Sequence, residues 1–129
     1  NPTDCFIFIK PVSESTKAAV IYRYSIDSTE CAENTGTGEV ECIVKASHNC
    51  TEATVAECKT NAFSESFYPV TAPEISVNSL KFYVSGVGSS DYLPRVTIII
   101  QAETPGALNS LSVLLNLQTT ISQFSDDSF

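Results

Sequence analysis

The sequence predicts a mainly β fold of antiparallel sheet with a cysteine-rich loop region, and three observations carry that expectation. The closing half alternates apolar and polar residues in successive runs near 75–85, 95–103 and 111–123. Turn formers separate these runs, first Gly86-Val87-Gly88-Ser89-Ser90-Asp91 and then Thr104-Pro105-Gly106-Ala107-Leu108-Asn109-Ser110. All five cysteines, Cys5, Cys31, Cys42, Cys50 and Cys58, fall in the first half, where the strand signals are shorter.

A chain of 129 residues fits one domain, 1–129, with one core. Hydrophobic residues make up 43%, and no uninterrupted apolar run approaches the roughly 20 residues that span a bilayer, so no membrane span is expected. The opening Asn1-Pro2 carries neither Met nor a signal-like segment, which leads us to expect that something preceding it has been removed. A net charge of -8 with only 7 Lys and Arg repels polyanions and argues against a nucleic-acid partner.

The first strand is expected near 5–10. Its residues Cys5, Phe6, Ile7, Phe8 and Ile9 are apolar on both faces, which suits a strand covered twice or covered by something outside the chain. A second strand near 18–27 places Val20, Tyr22, Tyr24 and Ile26 on one face and Ile21, Arg23 and Ser25 on the other. A third near 39–46 sets Val40, Cys42, Val44 and Ala46 against Glu39, Glu41 and Lys45. Asn34-Thr35-Gly36-Thr37-Gly38 precedes it as a hairpin turn; with Gly36 and Thr37 at a type II′ tip, Cys31 faces Cys42 within disulfide reach.

The stretch 47–62 is expected to be a cysteine-rich loop containing one helical turn, closed by Cys50 and Cys58. A single helix capped by Asn49 would set those two cysteines about 12 Å apart along its axis, too far to bond, so either the segment bends or unwinds or the two pair elsewhere. Asn49-Cys50-Thr51 also matches the N-glycosylation pattern, a common chance triplet. Residues 63–73 read as a loop with aromatic anchors. Farther on, Ile75 and Val77 share one phase while Leu80, Phe82 and Val84 take the other, so a β-bulge is expected at Asn78-Ser79. Pro94 enters the next strand at its first residue, the last three strands form a meander, and the acidic tail 125–129 is expected to fray.

Without a C-x-x-C pair, and with His48 the only histidine, the cysteines argue for disulfides in an exported protein rather than a zinc site. The odd count leaves Cys5 unpaired or available to another chain. Catalytic constellations are missing: there is no glycine-rich phosphate loop, no G-x-S-x-G and no spaced metal motif. Glu39 with Glu41, Asp126 with Asp127, and His48 read as solvated charges, and Ser89-Ser90-Asp91 as a turn rather than a Ca²⁺ loop. The expectation is a protein that is not an enzyme and carries no catalytic, cofactor or metal site.

The run from Glu74-Ile75-Ser76-Val77-Asn78-Ser79-Leu80-Lys81-Phe82-Tyr83-Val84-Ser85-Gly86, through Pro94-Arg95-Val96-Thr97-Ile98, to Leu117-Gln118-Thr119-Thr120-Ile121-Ser122-Gln123 resembles the C-terminal head of type IV pilin-like proteins, above all minor pilins and pseudopilins. Val20-Ile21-Tyr22-Arg23-Tyr24 is similar to the strand that opens such heads. The resemblance covers roughly two thirds of the chain and rests on strand patterns rather than on a catalytic signature. It implies an α+β family fold, a sheet packed on a hydrophobic helix, and a structural subunit of an extracellular pilus or secretion pseudopilus. The basic leader, processing site and long apolar helix of that family are not in this sequence. Under this reading the helix is the chain's own missing N-terminal segment or belongs to a separate helix-bearing pilin subunit, other copies join in a filament, and Phe6, Ile7, Phe8 and Ile9 are the residues such a helix would cover. The alternative is a free-standing secreted β-sandwich that binds carbohydrate or protein.

Overall fold

The computed structural model describes residues 3–35, 38–86, 95–105 and 112–122, with Pro105 and the last strand described by their backbone alone. Among the described residues seven strands and one helix follow in order: β1 Cys5–Pro11, β2 Lys17–Ser25, β3 Cys42–Asn49, α1 Val55–Ala62, β4 Tyr68–Pro69, β5 Ser76–Ser85, β6 Arg95–Pro105 and β7 Ser112–Ser122. They form two antiparallel sheets, β1-β2-β3-β4 and β5-β6-β7. The fold class is mainly β, and the second sheet is a meander.

In the first sheet β2 is interior and covered on both faces. Ala18, Ala19, Val20 and Ile21 are all at most 1% exposed, so the alternation expected for β2 gives way to a continuous buried run at its start. One face, with Ile7, Ile9, Ala19 and Ile21, lies under α1, where Cys58 and Ala62 complete the cluster. The small Ala19 on that face leaves room for the helix to approach. The other face, with Phe6, Tyr22, Tyr24 and Ile43, packs against Val77, Leu80 and Phe82 of β5.

Several expectations are corrected here. β2 ends at Ser25, and Ile26 is 69% exposed rather than in the core. The third strand runs Cys42–Asn49 instead of 39–46, and it pairs with β2, Ser25 opposite Cys42, not with the residues around Cys31. Because β3 is covered on both faces, Ile43 is buried against β5 while Cys42 and Val44 are buried with Cys31 on the other side, and Ala46 is buried as well. The stretch 47–62 is not mainly loop: its second half is α1, two turns long. Its cap is Thr54, whose Oγ1 accepts a hydrogen bond from Glu57 N, with Glu57 in the first turn and Lys59 in the last. Of the aromatic anchors expected in 63–73, Phe67 packs inward, whereas Phe63 and Tyr68 are about half exposed and Tyr68 opens the short β4.

The β-bulge lies between Val77 and Ser79, and it keeps Val77, Leu80 and Phe82 all buried despite the slipped phase. Val96 and Ala102 of β6 are buried as well, while Ile98 and Ile100 are half-buried. Register aligns Leu115, Leu117 and Ile121 of β7 with Ala102, Ile100 and Val96. The expected core contributions of the Leu115 and Leu117 side chains lie outside the described residues, as do the Gly36-Thr37 tip, the turn from 87 to 94, the 106–111 connection and the tail.

Candidate functional site

Among the described residues, reactive side chains gather where β3 runs out into the loop before α1. His48 is paired with Ala19 of β2 and so stands on the α1 side of the sheet. The ladder continues one step past the strand through Cys50 N, which donates to Lys17 O at 2.8 Å. Cys50 is then bonded to Cys58 in the first turn of α1, with Cα atoms 5.3 Å apart. Starting the helix at Val55 instead of near Asn49 is what makes this bridge possible, since Cys50 precedes the helix rather than riding on it.

Around that bridge the imidazole of His48 is held at both nitrogens. Nδ1 is 2.8 Å from Glu65 Oε1, and Nε2 is 2.8 Å from Glu52 Oε2. Asn61 of α1 donates its side-chain amide to the same Glu52 oxygen, and Thr51 N donates to Oε1 at 2.9 Å. The bond to Glu65, followed by that to Glu52, raises the His48 pKa above its ordinary value. The Asn61 amide, followed by His48, holds Glu52 down to about 2. The arrangement therefore favours an imidazolium between two carboxylates. Donor atoms of His48, Glu52 and Cys58 lie within 4.8 Å of one another, but with the Cys58 sulfur in a disulfide the set lacks the thiolate that would make it a metal centre.

A second network fixes the other bridge. Cys31 and Cys42 are joined, with Cα atoms 5.8 Å apart. Cys31 belongs to a turn and not to a paired strand: Glu30 and Cys31 both donate their amides to Asp27 O. Arg23 holds that turn through an ion pair to Glu30 Oε2 at 2.7 Å, and Ser25 Oγ donates to Glu30 Oε1 at 2.7 Å. The Arg23 guanidinium also lies 4.1 Å from the centre of the Phe67 ring, which fastens the segment after α1 to the sheet. Cys5 is the free cysteine, half-buried on β1, its thiol pKa pushed up by burial and then by Asp4.

The residues singled out for covering by a helix are already covered in part by this chain. Ile9 is buried, and Ile7 is half-buried against the α1 cluster. On the opposite face Phe6 stacks on Phe82 at 5.3 Å and on Phe8 at 5.5 Å, and Phe8 lies 6.3 Å from Tyr22. The two-faced apolarity of the run is thus used twice within the described fold. A different apolar surface is covered only in part. Among the described residues the backbone of the first sheet approaches the second only at β5. Beyond it Ile98 and Ile100 stay half-buried, and Val84, in phase with Leu80 and Phe82, is 50% exposed.

Sequence reasoning placed His48 on the surface as an isolated charge and missed its junction. The i, i+4 spacing of His48 and Glu52 was the available signal, whereas Glu65 and Asn61 arrive only through the path of α1. Asn49 is exposed at the end of β3. Ser89-Ser90-Asp91 and Asp126-Asp127 lie outside the described residues, and Glu41 accepts a hydrogen bond from the buried Ser76 Oγ at 2.8 Å, a bond that ties β5 to the entry of β3. No helix among the described residues is long and apolar enough to cross a membrane. Set against known proteins, the chain matches no family model, no curated protein and no solved structure.

Proposed function

We propose that this chain is the globular head of an exported, non-enzymatic filament subunit of the type IV pilin kind, whose second sheet packs on a hydrophobic α-helix contributed by another segment or another polypeptide. The observation that carries the reading is the incompletely covered apolar face of β5 and β6. Val84, Ile98 and Ile100 share the phase of buried core residues, yet Val84 is 50% exposed and Ile98 and Ile100 are only half-buried at the edge of that core. A face of this composition is stabilised by a partner that removes it from water. The two disulfides are compatible with an oxidising, extracellular compartment.

The test is incorporation into filaments by variants that stay folded. Ile98→Ser and Ile100→Ser, checked by circular dichroism and urea midpoint, are expected to fold and to drop out of the assembly, while Thr97→Ala and Gln101→Ala enter normally. Normal assembly of folded Ile98→Ser and Ile100→Ser would remove the reading. A secreted sheet module that binds carbohydrate then takes its place, and one observation favours it: on the first sheet Tyr68 is register-paired with Lys45, whose ammonium lies 5.5 Å from the Tyr22 ring, with Phe8 beyond. Such a partly exposed aromatic row is the kind of surface on which sugar rings stack, and a glycan array reads it directly.

A further inference from the structure

We propose that the β3–α1 junction is a redox-gated zinc site: when the Cys50–Cys58 disulfide is reduced, His48, Cys50, Glu52 and Cys58 bind one Zn²⁺ ion. This inference is independent of the filament reading. The donor chemistry is that of tetrahedral zinc, two thiolates with an imidazole and a carboxylate. The geometry is already drawn in, because the ligating atoms of His48, Glu52 and Cys58 lie within 4.8 Å of one another and the Cys50 sulfur is bonded to that of Cys58.

A second observation points the same way. His48 Nδ1 is engaged by the Glu65 carboxylate at 2.8 Å, which leaves Nε2 to Glu52. A carboxylate on the far nitrogen is the arrangement that fixes the tautomer and orientation of a metal-bound histidine. Glu52 is oriented in turn by the Asn61 amide and by Thr51 N. The ion takes the place of the proton now shared between Nε2 and the Glu52 oxygen. Glu52 is 11% and His48 18% exposed at the side chain, which gives the ion a path from solvent, whereas Cys58 is fully buried.

The reduction needs an external two-electron reductant. A dithiol supplies both electrons and both protons and ends as its own disulfide, whereas a phosphine supplies the electrons and water supplies the two protons and the oxygen of the phosphine oxide. Zinc binding then releases those two protons and the Nε2 proton to solvent. Reoxidation by a disulfide expels the metal. In the reduced chain zinc holds α1 against the end of β3, as the disulfide does in the oxidised one.

The experiment titrates Co²⁺ and Zn²⁺ into the full chain after reduction with a phosphine, followed by calorimetry and by the thiolate-to-cobalt charge-transfer absorption. Reduced wild type is expected to bind one ion with that absorption, and the oxidised protein to show none. His48→Gln and Glu52→Gln, which alter only the partly exposed donors, are expected to weaken binding, and Glu65→Gln to weaken it about 10–100-fold. A Cys31→Ser, Cys42→Ser double variant is expected to bind as wild type. Absence of binding by the reduced chain overturns the proposal. So does binding that is indifferent to His48→Gln and Glu52→Gln, because unfolded cysteines alone would give that result, and so does a reduced chain that stays unfolded at saturating zinc.

Discussion

Thr3 and Phe82 exchange two backbone hydrogen bonds, 3.0 Å from Thr3 N to Phe82 O and 2.7 Å from Phe82 N to Thr3 O. One residue farther on, Asp4 O accepts from Tyr24 N of β2 at 3.2 Å. The segment leading into β1 therefore stitches β5 to the first sheet, and Phe82 is fastened there by its ring as well, stacked on Phe6. Phe82→Ala removes that ring from a position only 3% exposed and is expected to cost about 3–5 kcal/mol in urea unfolding. Tyr83→Ala, next in sequence and 42% exposed, is expected to stay within about 0.5 kcal/mol. Equal losses at the two positions would mean that the phase of β5 is misassigned.

The partly covered face of the second sheet predicts a context-dependent cost. Leu80→Ala, at a 2% exposed position, is expected to lose about 2–5 kcal/mol in the isolated chain. Ile98→Ala is expected to lose less there, because its side chain is only half-buried, and to lose more once a helical partner is bound. Unfolding with and without the partner separates the two cases. An Ile98→Ala cost that does not change on partner binding would place the docking surface elsewhere.

Disulfide mapping under non-reducing conditions is expected to return Cys31 with Cys42, Cys50 with Cys58, and a Cys5 that is alkylated only slowly before unfolding. Replacing Cys50 and Cys58 by Ala in the metal-free protein is expected to cost about 2–4 kcal/mol. Amide exchange should quicken first over 55–62, since eight residues do not hold a helix without packing or a staple. Unchanged protection of those amides would show that burial of Ala62 alone holds α1.

The parts of the fold that were legible were those where a single phase decides burial. In β5 and β6 the buried Leu80, Phe82, Val96 and Ala102 follow the alternation, and the slip at Asn78 announced the bulge because two buried sets in opposite phase leave no other solution. The first sheet was harder to read, because β2 and β3 are interior and a strand buried on both faces does not alternate. Cys31 meets Cys42 as the turn reading expected, and Asn34 N does reach Glu39 O at 2.7 Å, yet Cys31 stays in a turn because β3 takes β2 as its neighbour. The start of α1 was visible in Thr54-Val55-Ala56-Glu57, a capping-box pattern, but Asn49 competed as a cap five residues earlier. The His48 junction depends on where that helix begins, and so it was lost with it.

His48 gives a pH dependence whose sign follows from its partners. A neutral imidazole has one N–H, so only the imidazolium donates to Glu65 and Glu52 at once. With its folded-state pKa raised, the native chain holds this proton more tightly than the unfolded chain does. Stability from the junction is therefore fully present below about pH 6.5, the unfolded value, and is lost as pH rises through the raised folded value. Glu52 acts in the opposite direction and below this window: its contribution is present above its ordinary value of 4.5 and is lost as pH falls from there toward about 2. In oxidised, chelator-treated protein the urea midpoint of wild type is expected to fall between about pH 6 and 8, and that of His48→Gln to stay flat across the same range. Because the chain has a single histidine, its ring resonances report the same titration without assignment by mutation. Parallel midpoint curves for wild type and His48→Gln, or a histidine that titrates at or below its ordinary value, would show that the carboxylates do not clamp the ring in solution.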